Sequence, residues 1–367
     1  MRIGIDIHAI GRRQTGNETY IRNVVENLAL LDLPHDFVLY HTLAREQFSG
    51  SFGKARVRRL WPHTHFVRIP VSFPLVLKRD RIDLAHFQYV APPWCPCPTV
   101  VTLHDISYEL FPENFHPLDR KRMQLLVPLS ARKAAHVITV SEFSRREIIE
   151  RYGLPEKRVS VTYHGISDQF REPRDAAWIA SMTERFGLAK PFVLGVGNLQ
   201  PRKNLERLVM AFARLRAAGA DWELVLVGQM AWHGQRVNRI VQDLGIADAV
   251  KMTGYVSEEE LIALYRRAGV FAFPSLYEGF GLPVAEAMTC GVPVLTSNTA
   301  SLPEVAGNAA ILVDPRSDEE IHDGLRRLVE DAGLRAELST RGRQQAARFS
   351  WKDTAARTAA IYSACLS

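Results

Sequence analysis

A strand, a glycine loop and a helix follow one another within residues 270–288, and this unit limits the folds that the chain can adopt. Val270–Phe273 is a short apolar run, which predicts a buried strand. Pro283 falls where a first helical turn tolerates proline, and good helix formers follow it. Gly279 and Gly281 lack side chains where the helix opens, so backbone amides there can approach a phosphate closely. The unit predicts an α/β protein with an anion site at a strand end.

Two carboxylates flank this loop, because Glu278 lies on it and Glu286 lies near the helix start. Carboxylates are poor phosphate ligands but good acceptors for sugar hydroxyls, so the pair suits a sugar nucleotide. The structural alternative is that Glu278 caps the helix and Glu286 is solvated, since acidic residues favour a first helical turn. The combination with the glycine loop favours the sugar nucleotide.

The stretch from Glu278 to Glu286 resembles the Glu-x7-Glu signature of the retaining glycosyltransferases of family 4. The resemblance covers nearly the whole chain and implies an α/β protein of the GT-B fold. Such a protein has two Rossmann-like, doubly wound parallel-sheet domains that face a cleft, and a C-terminal helix that crosses back to the N-terminal domain. We expect an acceptor domain at residues 1–175, a nucleotide-sugar domain at residues 176–349 and a closing helix at residues 350–367.

Composition agrees with a soluble protein of two domains, because the chain has 367 residues, of which 47% are hydrophobic and 23% charged. Arg2 introduces a charge before any apolar run, so no signal peptide is expected, and no apolar run is long enough to span a bilayer. We therefore expect a cytoplasmic protein, with the inner face of the cell membrane as an alternative location. Four scattered cysteines predict free thiols.

The formal net charge of +6 favours an anionic partner, such as a nucleotide, a lipid surface or nucleic acid. The basic residues are dispersed, which argues against nucleic acid. Local clusters occur at residues 54–59, 120–122 and 132–133, and each is also compatible with an ordinary solvated surface.

The first half alternates apolar runs with helical patterns, which predicts a parallel sheet covered on both faces. Strands are predicted at residues 2–7, 37–40, 65–69, 84–88, 99–103, 137–140 and 159–163. A helix is predicted at residues 118–135. The loop after the first strand carries Gly16 and Asn17, which the resemblance places in the cleft as contacts for acceptor or donor phosphate.

His104 ends a predicted strand, where ligands of open α/β sheets collect, although a histidine there also commonly has a structural role. The resemblance implies that it is the cleft histidine that contacts the transferred sugar. Ser141 opens a predicted strand-to-helix turn as an N-cap and is also a candidate substrate contact. His164 stands where related enzymes usually carry asparagine, so the resemblance assigns it no role.

The second half repeats the strand-and-helix alternation after a polar linker predicted at residues 170–190. Strands are predicted at residues 192–197, 223–227, 250–254, 270–273, 291–295 and 310–315, followed by helices. Gly197 and Asn198 lie in the first turn of this half and are candidate substrate contacts. Tyr255 and Val256 resemble the turn whose backbone meets the nucleobase, and a capping box at Ser257 is the structural alternative.

Arg202 and Lys203 are predicted at a helix start, where cations are unfavourable unless an anion is present. Arg202 offers a fork of donors matched to phosphate oxygens, and Lys203 adds a compact charge. The resemblance implies that this pair neutralises the donor diphosphate. It also implies that amides of one loop segment contact the donor, and these residues are Gly279, Phe280, Gly281 and Leu282.

The resemblance implies a retaining glycosyltransferase, most like bacterial mannosyl- and rhamnosyl-transferases of surface polysaccharide, with GDP-mannose as the favoured donor. Catalytic roles fall on His104, Arg202, Lys203 and Glu278, and Glu286 would hold the ribose. No cofactor is expected. No Asp-x-Asp triplet occurs in the sequence, so no metal is expected either.

Several alternatives stay open at this point, including UDP- or dTDP-sugar donors, a sugar-nucleotide epimerase and a non-catalytic sugar-nucleotide binding protein. A nicotinamide dehydrogenase is disfavoured, because residues 2–16 lack the Gly-x-Gly-x-x-Gly fingerprint. The acceptor would be a saccharide or a lipid-linked saccharide. In the second case residues 120–122 would dock on an anionic membrane.

Overall fold

The computed structural model describes residues 1–11, 15–43, 52–198, 200–229 and 234–366, and the chain divides into two compact units. Unit 1 comprises Met1–Gly165 together with Ser350–Ser367, and unit 2 comprises Ile166–Phe349. No helix among the described residues is both long and apolar enough to cross a bilayer.

The described part of unit 1 contains a sheet of seven parallel strands in the order β3-β2-β1-β4-β5-β6-β7. The strands are β1 (Arg2–Asp6), β2 (Asp36–His41), β3 (Arg56–Arg59), β4 (Leu84–Gln88), β5 (Thr99–Thr102), β6 (His136–Thr139) and β7 (Val159–Val161). The helices are α1 (Thr15–Leu28), α2 (His65–Val67), α3 (Phe73–Arg79), α4 (Ser107–Leu110), α5 (Pro117–Lys133), α6 (Glu142–Tyr152) and, from the end of the chain, α15 (Trp351–Leu366). The central strands are buried, as their apolar sequences predict.

Two hydrophobic clusters cover the sheet of unit 1. One contains Phe73 of α3 and Val127 of α5, and the other contains Val24 of α1 and Trp351 of α15. Helices therefore pack on both faces, which is the doubly wound arrangement. The C-terminal helix belongs to unit 1, which confirms the predicted return of the chain to the N-terminal domain.

Gly165 allows the end of the chain to pack closely here. A Cβ atom on this residue would lie 2.1 Å from the backbone nitrogen of Trp351. Any larger residue would displace the start of α15 from its place beside the sheet.

The described part of unit 2 contains a sheet of six parallel strands in the order β10-β9-β8-β11-β12-β13. The strands are β8 (Phe192–Val196), β9 (Glu223–Val227), β10 (Val250–Gly254), β11 (Val270–Phe273), β12 (Val294–Ser297) and β13 (Ala310–Val313). The helices are α7 (Ala176–Thr183), α8 (Leu205–Ala217), α9 (Gly234–Asp243), α10 (Glu258–Arg267), α11 (Leu282–Cys290), α12 (Leu302–Ala306), α13 (Asp318–Glu330) and α14 (Ala332–Ala346). The predicted α/β class of two Rossmann-like, parallel-sheet domains is confirmed.

The strand predicted at residues 65–69 is wrong, because this segment is helical. It forms α2 and a π turn over Arg68–Ser72 that continues into α3. Phe73 and Leu77 are both buried, and their spacing of four residues is typical of a helix. The prediction considered only the short apolar run before them and so missed this pattern. The edge strand β3 was missed, because its exposed Arg-rich sequence gives no apolar signal.

The linker predicted at residues 170–190 is wrong in part, since it begins at the last residue of a 3-10 turn, Asp168–Phe170, and contains α7 and a second 3-10 turn, Glu184–Phe186. The division between the units also falls at Gly165, ten residues before the expected end of the first domain. Phe170 explains the difference, because it is buried and its carbonyl accepts a hydrogen bond of 2.9 Å from Arg266 Nη2 of α10. This segment therefore packs with unit 2.

Candidate active site

Arg202 and Lys203 lie on a 3-10 turn, Pro201–Lys203, between β8 and α8. They lie immediately before α8, which begins at Leu205, so they occupy the predicted helix start. Asn204 separates them from α8 because it adopts a left-handed conformation with φ of 59°. Its side-chain nitrogen Nδ2 donates to the carbonyls of Pro274 and Pro315 at 2.9 and 2.7 Å, which fixes the turn against the end of β11. The position of the two cations is set by this buried asparagine.

Arg202, Lys203 and Glu278 form one ion cluster. Arg202 Nη1 donates to Glu278 Oε2 at 2.9 Å, and Lys203 Nζ donates to Glu278 Oε1 at 2.7 Å. Ser275 Oγ donates to Glu278 Oε1 at 2.7 Å as well. Burial alone would raise the pKa of Glu278, but the charges of Arg202 and Lys203 outweigh it and hold the pKa at about 2. The carboxylate is therefore ionised, and the cluster contains two positive groups and one negative group.

The glycine loop between β11 and α11 is held rigidly. Gly281 is the N-cap residue of α11 with φ of 100°, and a Cβ atom there would lie 2.6 Å from Leu302 Cδ2. Ser301 Oγ donates to the carbonyls of Glu278 and Phe280 at 2.8 and 2.9 Å. Phe280 is buried and contacts the ring of Phe349 edge to face. The predicted segment from Gly279 to Leu282, the first residue of α11, thus opens a helix of nine residues directly after the acidic residue of the cluster.

Glu286 lies in the middle of α11 and not near its start as predicted, and its hydrogen-bond partner differs from those of Glu278. Tyr265 of α10 donates its hydroxyl to Glu286 Oε2 at 3.2 Å. Burial, together with the negative charge of Glu258, raises the pKa of Glu286 to about 7 although the Tyr265 hydrogen bond lowers it. The structure thus brings Arg202, Lys203 and Glu278 into direct contact and places Glu286 against α10.

Gly197 and Asn198 follow β8 and lie beside the ion cluster. Gly197 has φ of 149°, and a Cβ atom there would lie 3.4 Å from the Lys203 side chain, so the lysine stem runs past this glycine. A Cβ atom on Gly228 would lie 2.0 Å from the carbonyl oxygen of Gly197. The ends of β8 and β9 therefore approach each other so closely that glycine is required at residue 228.

Tyr255 and Val256 connect β10 to α10. Tyr255 is 69% exposed, whereas Val256 is buried. The predicted capping box is confirmed, because Ser257 Oγ accepts from Glu260 N at 3.2 Å and Glu260 Oε2 accepts from Ser257 N at 2.8 Å. The cap fixes the turn that carries both candidates.

In unit 1, His104 follows β5 and is buried in contact with two side chains that the sequence did not assign. Its Nε2 lies 2.9 Å from Gln88 Oε1, and its Nδ1 lies 3.3 Å from His164 Nε2. Burial is the main cause that lowers the pKa of His104 to about 3, so the ring is neutral at neutral pH. A neutral ring that donates from Nε2 to the Gln88 carbonyl accepts at Nδ1, and His164 then supplies the proton.

His164 is the residue of this centre that the resemblance left without a role. It follows β7, stacks on Tyr20 of α1 with ring centroids 5.3 Å apart, and lies 5.6 Å from the ring of Trp351. Burial lowers its pKa well below the ordinary value. The signal that could have found it is positional, because His104 and His164 both follow strands at the same edge of one parallel sheet.

The remaining candidates of unit 1 occupy helix starts. Ser141 is buried and caps α6, because its Oγ accepts from Ser144 N at 3.0 Å. Gly16 and Asn17 lie within the first turn of α1, so their prediction as loop residues is wrong, while residues 12–14 of that loop lie outside the described residues.

The described residues contain one trio with ligand atoms close enough for a metal, namely Glu319, His322 and Asp323 of α13. Arg214 already binds both oxygens of Glu319, at 2.9 and 3.0 Å. The predicted free thiols agree with the structure for all four cysteines.

Two doubly wound parallel-sheet units, with a cationic cluster before a helix in the second, define a protein of the GT-B fold. Residues 179–345 match the family described as Glycosyl transferases group 1, and residues 15–170 match Glycosyltransferase Family 4. The chain belongs to these family 4 glycosyltransferases of the GT-B fold.

Individual relatives agree with this assignment. The O-antigen chain mannosyltransferase B of Escherichia coli is 36% identical over 72% of this chain and 69% of its own length. The serotype-specific mannosyltransferase WbdA of Escherichia coli is 30% identical over 72% of this chain, which spans only 32% of that longer protein. The solved sucrose-phosphate synthase of Thermosynechococcus elongatus has the same fold, with a TM-score of 0.80 and 21% identity over 99% of this chain and 98% of that one.

Proposed function

We propose that this glycosyltransferase moves a hexose, with mannose favoured, from a nucleoside diphosphate sugar to a saccharide or lipid-linked saccharide in cell-surface polysaccharide or glycolipid synthesis. The observation that carries the proposal is the buried cluster of Arg202, Lys203 and Glu278 at a helix start. The relatives named as an O-antigen chain mannosyltransferase and a serotype-specific mannosyltransferase support the sugar, and the first of them supports the pathway class.

Arg202 and Lys203 stabilise the departing diphosphate in this proposal. When the bond between the anomeric carbon and the phosphate oxygen breaks, negative charge grows on the phosphates and positive charge on the sugar ring. One carboxylate holds the two cations in place, and the 3-10 segment that carries them is fixed by Asn204. Their side chains can therefore bind phosphate oxygens at little further cost in order. Amides from Gly279 to Leu282 add donors at the positive end of α11.

Glu278 and Glu286 hold the two sugars of the donor. Glu278 is ionised, so it accepts hydrogen bonds from hydroxyls of the transferred hexose and faces the positive charge that develops on its ring. Glu286 holds the ribose, and its raised pKa makes this contact dependent on pH near neutrality. In unit 1, the neutral His104 contacts the transferred hexose, which requires one of its present partners to give way.

The transfer retains the anomeric configuration in this proposal. The acceptor hydroxyl attacks from the side of the leaving group, its oxygen bonds to the anomeric carbon, and its proton passes to the departing phosphate oxygen. No side chain is assigned as a nucleophile. NMR of the product would show the same anomeric configuration as in the donor, and an inverted product would refute this step.

Charge neutralisation by side chains makes a metal unnecessary in this proposal, and the sequence has no Asp-x-Asp triplet. The rate of transfer should therefore stay within about twofold when a chelator is added. Loss of the activity on chelation, with recovery on addition of Mg²⁺ or Mn²⁺, would contradict metal independence. No cofactor is proposed.

The donor is tested by incubating the protein with GDP-mannose and with UDP- and dTDP-hexoses, and by measuring both thermal stabilisation and hydrolysis. GDP-mannose should give the largest shift of the unfolding temperature. The chief alternative, a sugar-nucleotide epimerase, would convert the donor with no acceptor present, and mass balance in the same tube would reveal this. Stabilisation by none of the sugar nucleotides would refute the proposed function.

The proposed place of action is the cytoplasmic side of the cell membrane, where a lipid-linked acceptor would be exposed. The basic residues Arg120, Lys121 and Arg122 would contact anionic lipid there. Nucleic acid is not a proposed partner.

A further inference from the structure

Two helical segments of unit 1 expose rows of apolar side chains. In residues 65–79, the exposed residues Phe66, Val71 and Leu75 follow one another at steps of five and four. The π turn over Arg68–Ser72 contains one residue more than an α turn, so the longer step still keeps Phe66 and Val71 on one side. These side chains form one apolar row.

A second row runs along α5. Leu118, Leu125 and Leu129 are exposed, and the exposed basic residues Lys121 and Arg132 occupy the same row at steps of three and four residues. The exposed fractions of the six apolar side chains in the two rows lie between 44% and 73%. Isolated exposed apolar residues are normal, but aligned rows mark a contact surface.

Both rows point away from the same face of the sheet. Phe73 and Leu77 of α3 are buried in the same hydrophobic cluster as Val127 and Ala131 of α5. Helices that bury their inner sides in one cluster turn their outer sides to solvent on that side of the unit. The two rows therefore belong to one surface, which we call the docking face.

Contacts at the ends of the helices place further aromatic residues at the docking face. The start of α2 lies near the first turns of α5, because the charge of Arg122 acts with burial to lower the pKa of His65. Lys133 Nζ donates to the carbonyl of Pro93 at 3.3 Å, beside Trp94, which is 77% exposed. Trp61 is 75% exposed, and its carbonyl accepts from Ser72 at 3.2 Å. Exposed tryptophans are typical of surfaces at the membrane interface.

The two segments around the docking face are both strongly net positive. Residues 54–81 contain eight lysines or arginines and one aspartate, and residues 117–133 contain five and one. Their combined excess of eleven positive charges is larger than the +6 of the whole chain, so the rest of the chain is net negative. The charge is complementary to an anionic surface.

We propose that the docking face inserts its apolar rows into the headgroup region of an anionic lipid bilayer, with the flanking lysines and arginines at the lipid phosphates. The proposal rests on the proposed function, because a lipid-linked acceptor would be presented at such a surface. It goes further, because it requires that apolar side chains enter the bilayer in addition to the attraction between basic residues and anionic lipid. Aligned leucines, basic residues in the same row and tryptophans beside it favour a bilayer over a protein partner.

The test is flotation of the full-length protein with vesicles of phosphatidylcholine, with and without phosphatidylglycerol, at low and high salt. The wild-type protein should float with the anionic vesicles. The double variant Leu118→Ser/Leu125→Ser should bind them about tenfold or more weakly, because two large apolar side chains no longer leave water. Added salt should weaken the binding of both proteins.

The matched control is Leu30→Ser/Leu244→Ser, which changes two exposed leucines outside the docking face. It should float like the wild type, and thermal unfolding should show that all variants are folded. Equal binding by the Leu118→Ser/Leu125→Ser variant would refute insertion, and failure of the wild type to float would refute docking. A wild-type dimer that this variant breaks, with neither protein floating, would make the face a protein interface and also overturn the proposal.

Transfer to a water-soluble saccharide acceptor is measured with the same preparations. Transfer without flotation leaves the proposed function standing and removes the docking face. Flotation that depends on Leu118 and Leu125, without transfer from any donor, leaves the docking face standing and removes the proposed function.

Discussion

The two units collect different chemistry at the carboxyl ends of their central strands. Unit 1 brings together the neutral rings of His104 and His164, whereas unit 2 brings together Arg202, Lys203 and Glu278 as charged groups. Both centres are buried, so burial alone does not decide which groups stay ionised. The histidines have no carboxylate as a hydrogen-bond partner in the contacts described above and lose their charge, whereas the charges of unit 2 compensate one another. A compensated charged centre suits a diphosphate, and a neutral centre suits hydroxyl groups.

Lys203→Ala should produce the largest effect, because it removes half of the positive charge of the centre in unit 2. Turnover should fall by about two to three powers of ten, the scale of losing one donor that stabilises a developing charge. The measurement is steady-state transfer with saturating donor. The matched control is Lys190→Ala, which removes an exposed lysine that pairs with Asp221 and should leave turnover unchanged. Normal turnover of Lys203→Ala would make the phosphate assignment wrong.

Acid should destabilise unit 1 before unit 2. His86 of β4 is buried, and its ring nitrogens lie 2.6 Å from the Tyr362 hydroxyl and 2.7 Å from Thr102 Oγ1. Burial is the main cause that lowers the pKa of His86 to about 4 and that of His104 to about 3. The stability of unit 1 is therefore complete above pH 6.5, where both rings are neutral in either state, and falls as the pH drops toward 4. At pH 5 the loss is about 2 kcal/mol for each histidine. In unit 2, the stability that ionised Glu278 contributes is lost only between about pH 4.5 and 2. Glu286 has a raised pKa, so its protonation in the folded state makes unit 2 more stable below pH 7 than above it.

Hydrogen exchange with mass spectrometry at pH 7 and pH 5 measures this order directly. Peptides from β4 and β5 should lose protection at pH 5, while peptides from β8 and β11 keep theirs. The opposite order would mean that the neutral centre does not limit the stability of unit 1 in acid.

Glu278→Gln should separate binding of the nucleotide from transfer. The carboxylate of Glu278 occupies Arg202 and Lys203 in the structure, so phosphates must compete with it. Without that charge, a free nucleoside diphosphate should bind about tenfold more tightly, while transfer falls. Calorimetry measures the affinity, and Glu337→Gln, an exposed glutamate paired with Arg341, is the control. Weaker binding to Glu278→Gln would show that Glu278 does not compete with phosphate.

Glu286 should give the smallest effect, and one that depends on pH. Its pKa of about 7 means that the carboxylate form, which accepts two ribose hydroxyls, is incomplete below neutrality. Affinity for the nucleotide should rise with pH up to about 7 and then level off. Glu286→Gln should weaken binding by about three- to tenfold and remove this dependence. Calorimetry across pH 5.5 to 8 measures both, and an unchanged affinity would exclude the ribose contact.

Most strands were predictable because they are buried on both faces and therefore appear as continuous apolar runs. β4, β9, β10 and β11 have the predicted bounds. The errors have a common physical origin, since a short stretch of sequence does not show which distant residues its side chains will pack against. The segment at 65–69 has strand-like residues but winds helically, because Phe73 and Leu77 beyond it are drawn into the core.

The candidate site was predictable only where its residues lie close together in sequence. Gly279, Gly281 and Glu278 belong to one loop, and Arg202 and Lys203 to one turn, so their chemistry could be recognised from spacing. Gln88 and His164 could not be connected to His104 in this way, because sixteen and sixty residues separate them from it. Only the order of parallel strands brings such distant residues to one edge of a sheet.

The sequence by itself determined the α/β class, the strand–loop–helix unit around Glu278 and the positive charge of the chain, since each depends on neighbouring residues or on simple counting. The tertiary structure decided which charges meet, which histidines become neutral and which apolar side chains stay exposed. Pairing, burial and exposure depend on distances between residues that are remote in the chain, and folding alone sets those distances.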